Sequence, residues 1–133
     1  IKYCADAPFR TEETWILPEM VESYVKLHQL GFAHSIEVWQ EEELVGGLYG
    51  IAINGFFSGE SMFYRKPNAS KLALIALAQN LDASGVTFID CQLMNPFLEQ
   101  MGAKEVTRQG FIELKNQAID TKLANGFWVP RFL

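Results

Sequence analysis

Residues 56–92 read FFSGESMFYRKPNASKLALIALAQNLDASGVTFIDCQ, and this run decides the fold. Its aromatic-rich opening, Phe56 to Tyr64, predicts a strand. NASKLALIALAQNLDASG follows, with apolar residues extending almost round the helix, so a helix deeply buried against a sheet is expected. Asn68 is the natural N-cap and Gly85 the natural stop. VTFIDCQ then reads as a short buried strand, and strand, helix, strand implies a right-handed crossover.

Working outward, Pro18 to Leu30 carries apolar positions close to a helical period, with Gly31 placed to end it. HSIEVW alternates polar and apolar, Glu41-Glu42-Glu43 turns the chain, and LVGGLYGIAI continues as a second strand. With Phe56–Tyr64 these make an antiparallel meander. Downstream we expect a brief helix in PFLEQMG, a strand at Lys104 to Val106, a helix from about Gly110 to Ile119 and a terminal strand around Phe127 to Phe132.

The 133 residues and 15.1 kDa suit one domain, spanning 1–133. Such a chain exposes roughly 7,000 Å² when folded and buries about two-thirds of its unfolded surface. No apolar run reaches membrane-spanning length, so no membrane partner is expected. Cys4 and Cys91 have neither the number nor the spacing of a disulfide framework or a zinc site, which reads as reduced thiols in a cytoplasmic protein. The opening IKYCAD has no methionine and suggests a C-terminal piece of something longer. A net charge of −5 argues against a general nucleic-acid binder and favours a cationic partner.

Two polar insertions interrupt the apolar strands. Alternate side chains on a strand share a face about 6.8 Å apart, so Asp90 and Gln92 are expected to point the same way. An aspartate leaving water needs a hydrogen-bond partner or a cavity. On this stretch alone, Asp90 capping a neighbouring loop, with Gln92 at a solvated strand end, is the favoured reading. Glu60 lies among Phe57, Met62 and Phe63. A bulge at Gly59 would swing Phe57 to the side of Glu60, so that acid and apolar wall line one pocket; a simple packing glycine is the alternative.

Other signals are weaker. The glycines of VGGLYG lie inside a strand, where close packing explains them. Ser58, Ser61, His34 and Asp90 lack a nucleophile-elbow sequence. His28 has no second histidine at metal spacing.

Hairpins followed by strand, helix and strand resemble the GCN5-related N-acetyltransferases. That resemblance implies an α/β, acetyltransferase-like fold: a mixed, largely antiparallel sheet with helices on both faces. Those enzymes hold pyrophosphate at R-x-x-G-x-G/A before the central helix. Here the turn is RKPNAS, in which Asn68 and Ser70 replace both glycines. A coenzyme A-dependent N-acyltransferase is therefore disfavoured.

HSIEVW, LVGG, GESMF, NASK, IDCQ and NGFWVPR, in this order from about Trp15 to Arg131, resemble the leucyl/phenylalanyl-tRNA–protein transferase family. GESMF and DCQ, with Glu60 and Asp90 thirty residues apart, are specific motifs. The resemblance implies transfer of Leu, Phe or Met from aminoacyl-tRNA to the N-terminal α-amine of proteins beginning with Arg or Lys, marking them for degradation through the N-end rule. No metal or small cofactor is implied. Asp90, Gln92 and Glu60 match the catalytic residues. Gln92 would orient the acceptor amine, Asp90 would polarise it, and Glu60 would fix the α-amine of the transferred amino acid. Trp15, Phe57, Met62 and Ile89 match its side-chain pocket, to which Leu77 and Leu81 would add a helix face; Leu48, Gly59 and Asn95 complete the set. The resemblance also implies an N-terminal domain that holds most of the tRNA contacts, and the expectation is that this stretch of sequence does not include it. A non-catalytic module binding basic N-termini through Glu60 and Asp90 is the remaining alternative.

Overall fold

The computed structural model describes residues 1–7 and 14–133. It is α/β, with element order α1 (Lys2–Ala5), α2 (Pro18–Gln29), β1 (Ala33–Gln40), β2 (Glu43–Ile53), β3 (Phe56–Tyr64), α3 (Ala69–Asp82), α4 (Pro96–Gln100) and α5 (Arg108–Asp120). The strands form an antiparallel sheet in the order β1-β2-β3. Tight turns join them, at Glu41 (φ 56°) and Asn54 (φ 51°), so the acidic run is a hairpin turn.

Alternation along β2 separates two cores. Leu48 and Ala52 pack with Phe57, Ala73, Leu77, Leu81 and Val86 on the α3 side. Tyr49 and Phe63 pack with Cys4 and Ile16, and against Val21 and Tyr24 of α2, on the other. Helices thus cover both faces. Only one stripe of α3 is buried, Ala69, Ser70, Ala73, Leu77 and Leu81. Leu72 and Ile75 remain 55% and 36% exposed, contrary to the expectation of burial all round. A helix on one sheet face has one face to bury, and the opposite side of α3 looks onto an open groove.

On β3 the register slips by one residue. Tyr49 faces Ser61 while Gly50 faces Gly59, leaving Glu60 as the extra residue of a β-bulge. The slip puts Phe57 on the same face as Met62, five positions on, where regular alternation would oppose them. Gly50 makes room for this. A Cβ there would lie 2.2 Å from the Ser58 carbonyl oxygen and 2.6 Å from the Phe57 ring. The packing reading of the VGGLYG glycines therefore holds, and at Gly46 a Cβ would lie 2.4 Å from that of Ala69.

Gly85 ends α3 at φ 82°, where its N–H bonds the Asp82 carbonyl and the Val86 N–H bonds that of Leu81. Asn68 is the N-cap residue, but in the left-handed region (φ 66°) and with no side-chain capping bond.

Three expected strands differ. VTFIDCQ is reduced to one parallel bridge, Ser58 to Asp90, because Gln92 turns to φ 63° and leaves the ladder direction. Lys104–Val106 is exposed and pairs with nothing described. Phe127–Phe132 is turn and coil. The N–H groups of Phe127 and Val129 are used on the carbonyls of Ala124 and Gly126, and Pro130 has no N–H to give. This segment is fastened by Trp128, whose ring stacks on His34 at 4.4 Å and on Phe57 at 5.7 Å.

The chain exposes 9076 Å², above the roughly 7,000 Å² expected of a compact monomer of its mass. Among the described residues no helix is long and apolar enough to cross a membrane.

Candidate active site

The parallel bridge brings the two polar insertions together. The Asp90 N–H donates to the Phe57 carbonyl at 2.9 Å, and the Gly59 N–H donates to the Asp90 carbonyl at 2.8 Å. These bonds flank Ser58, so the side chains of Ser58 and Asp90 stand side by side. Ser58 Oγ–H donates to Asp90 Oδ2 at 3.0 Å.

Beyond Asp90 the chain does not continue as a strand. Asp90 Oδ1 accepts the Gln92 N–H at 2.8 Å, a side-chain-closed turn two residues long. That turn carries the Gln92 amide back to β3, where Nε2 donates to Ser58 Oγ at 3.3 Å and to the Gly59 carbonyl at 3.0 Å. Asp90 and Gln92 do meet, through a turn and through Ser58 rather than by strand alternation.

Glu60 is half-buried at the bulge, two residues along β3 from Ser58. Its partner is Tyr24 of α2, whose hydroxyl donates to the carboxylate. Burial, then this hydrogen bond and the negative charge of Glu60, push the Tyr24 phenol up to about 12. The ring packs edge-on against Tyr49 at 5.2 Å. The bulge therefore aligns Phe57 with Met62, while Glu60 is held by a residue of the opposite core. Tyr24 was not singled out in the sequence. Its folded pKa lies above its unfolded value, so ionisation disfavours the fold and stability falls as pH rises from about 10 towards 12. In an ultraviolet pH titration one tyrosine is expected to ionise near pH 12, and Glu60→Gln should lower that midpoint. An unchanged midpoint in the variant would remove the Tyr24–Glu60 bond.

The proposed side-chain pocket is packed rather than open. Leu48, Phe57, Leu77 and Leu81 are buried members of one cluster, with Met62 and Ile89 against it. A groove of about 1490 Å³ opens beside that cluster, between α3, the 86–94 segment, α4 and α5; Leu81, Ile89, Asp90 and Gln92 reach its wall. Gly59 serves through its backbone, since a Cβ there would meet only the Asp90 carbonyl, at 3.6 Å. Trp15 is 46% exposed. Asn95 is exposed and caps α4, accepting the Leu98 N–H at 2.8 Å.

The remaining candidates are committed elsewhere. His34 bonds the Gly31 carbonyl through Nε2 at 3.0 Å and stacks on Trp128, so the residue beside Asp90 is Gln92 and not an imidazole. Burial, then the charge of Asp90, raises the Cys91 thiol and keeps it a poor nucleophile. The Arg65 N–H donates to the Val45 carbonyl at 2.7 Å, and its guanidinium lies 4.1 Å over the Tyr3 ring.

The sequence is similar to known proteins throughout. Residues 1–116 match the family model described as leucyl/phenylalanyl-tRNA protein transferase. A protein of that name from Colwellia psychrerythraea is 61% identical over 98% of this chain and 56% of its own length. One from Idiomarina loihiensis is 47% identical over 100% and 56%. One from Shigella dysenteriae is 50% identical over 93% and 53%. The chain spans about half the length of these curated relatives. A match over this much of the sequence, with Glu60, Asp90 and Gln92 inside it, places the chain in the leucyl/phenylalanyl-tRNA protein transferase family.

Proposed function

We propose that this chain is the catalytic portion of an aminoacyltransferase. It moves Leu, Phe or Met from aminoacyl-tRNA to the N-terminal α-amine of proteins that begin with Arg or Lys, in the cytoplasm, and the product is marked for degradation. Its fold is acetyltransferase-like: the parallel Ser58–Asp90 bridge after a meander and a central helix supports that reading. Residues 1–133 act as one domain. The main tRNA-binding surface lies in a further N-terminal domain, a reading supported by the relatives' greater length and the large exposed area here.

The observation that carries the reading is the convergence of Asp90 and Gln92 on Ser58 at the rim of the groove. The donor ester is already activated, so holding amine and ester in attack geometry supplies much of the rate. The amine lone pair attacks the ester carbonyl carbon and a C–N bond forms. The C–O bond to the ribose breaks, and the amine proton ends on the departing ribose oxygen. Gln92 accepts a hydrogen bond from the amine and orients it, being too weak a base to keep the proton, while Asp90 supplies the field. Glu60 binds the α-amine of the transferred residue. Trp15, Leu48, Gly59, Asn95 and the cluster around Phe57, Met62, Leu77, Leu81 and Ile89 are the proposed substrate site, which the transferred side chain enters from the groove, where Leu81 and Ile89 reach its wall. Apolar guests displace little from such a lining, and polar ones lose their solvation.

The test is transfer by the full-length protein of radiolabelled Phe from Phe-tRNA to a peptide starting with Arg. Label should join the free peptide and not its N-acetylated form. Equal labelling of both, or of neither, overturns the reading.

A further inference from the structure

The hydrogen-bond directions around Gln92 are fixed by chemistry. The Gly59 carbonyl can only accept, so the end of the amide that lies 3.0 Å from it is the NH₂ group. Ser58 has one hydroxyl hydrogen. The carboxylate of Asp90, 3.0 Å away, has none to offer, so that hydrogen is spent on Oδ2. Towards Gln92 Nε2, at 3.3 Å, Ser58 is therefore an acceptor. The chain of donors runs one way, from the Gln92 amide through the Ser58 hydroxyl to the Asp90 carboxylate. Both amide hydrogens point at β3, and Oε1 is the end turned away from it.

We propose that Ser58 is a positioning residue for the transfer reaction: its hydroxyl locks the Gln92 amide with Oε1 presented to the acceptor amine and conducts the negative charge of Asp90 to that amide. This rests on the aminoacyltransferase reading above. Each bond in a directed chain polarises the next, so the amide oxygen becomes a better acceptor than that of a free glutamine. Asp90 reaches Gln92 directly only through the backbone N–H, at 2.8 Å, so Ser58 is the link to the reacting end of the side chain.

The hydroxyl is not what holds the strands together. The two backbone bonds flanking Ser58 survive its removal, and the residue is half-buried. Ser58→Ala should fold with an unchanged unfolding midpoint. The Gln92 amide then keeps only the Gly59 carbonyl and rotates, and transfer to an Arg-starting peptide by the full-length protein should fall in kcat by roughly tenfold or more. KM for aminoacyl-tRNA should stay constant. Ser58→Thr keeps the hydroxyl and should restore most of the rate. Ser58→Val, matched in shape, should be as slow as Ser58→Ala and serves in its place if alanine disturbs folding. In a Gln92→Ala background Ser58→Ala should cause no further loss, because the serine acts through the amide.

Wild-type rates in Ser58→Ala and Ser58→Val, or losses that multiply in full with that of Gln92→Ala, overturn the positioning role while leaving the aminoacyltransferase reading intact. A wild-type protein that fails to transfer overturns that reading and this role with it.

Discussion

Asp90→Asn in the full-length protein is expected to slow transfer to an Arg-starting peptide by about 10²-fold or more, as removal of a preorganised charge from a reacting centre does. Asparagine keeps the size and one accepting oxygen, so the turn to the Gln92 N–H can survive. What it cannot supply is the negative charge, nor an acceptor at Oδ2 for Ser58 in the same orientation. Were Asp90 only a loop cap, asparagine would serve nearly as well and alanine alone would fail. The informative comparison is therefore Asn against Ala: comparable losses in kcat at constant aminoacyl-tRNA KM assign the effect to charge. A wild-type rate in Asp90→Asn would end the electrostatic role.

The largest expected loss of stability is at Phe57. Its side chain is 1% exposed, stacks on Trp128 at 5.7 Å and fills the space left by the bare Gly50. Phe57→Ala removes a whole ring from a packed cluster and leaves a void that β2 and β3 cannot close without breaking register. Denaturant unfolding should show a loss of about 3–5 kcal/mol. Phe57→Leu, which conserves more volume, should lose about 1.5 kcal/mol or less. A loss below about 1 kcal/mol for the alanine variant would mean that the ring is not a core element. The same substitution tests the pocket reading, since it widens the cluster where the transferred side chain is proposed to sit.

Most of the fold was legible because it is local. The meander, the hairpin turn at the acidic run and helices α2, α3 and α5 follow from periodicity and punctuation that their own residues carry. The errors were non-local. VTFIDCQ has the composition of a strand, but whether it pairs depends on where Asp90 sends its side chain. The terminal Phe127–Phe132 is as β-prone as many strands, and is instead turned by Gly126 and pinned by an indole against His34. Neither contact has a signature in the segment itself.

The polar centre divides in the same way. Asp90, Gln92 and Glu60 stood out because acids and amides are unusual in apolar strands. Of their nearest partners, Ser58 drew notice only as part of a hydrolase arrangement that lacks its elbow sequence, and Tyr24 drew none. A serine on a strand and a tyrosine on an amphipathic helix are ordinary residues, and only the parallel bridge and the docking of α2 give them carboxylate neighbours. The apolar set was identified as a group, yet its packing as core could not be separated from its lining a hollow by residue type alone.

The extra residue in β3 works like a frameshift in side-chain parity. Upstream of Glu60 odd numbers face α3, and downstream even numbers do. Deleting any one residue between Phe57 and Met62 would set them four apart, where plain alternation keeps both in the same layer without a bulge; what would be lost is the outward kink that hands Glu60 to Tyr24. The odd spacing of these two landmarks is thus what obliges the strand to buckle, and the buckle is what seats an acid between two greasy neighbours.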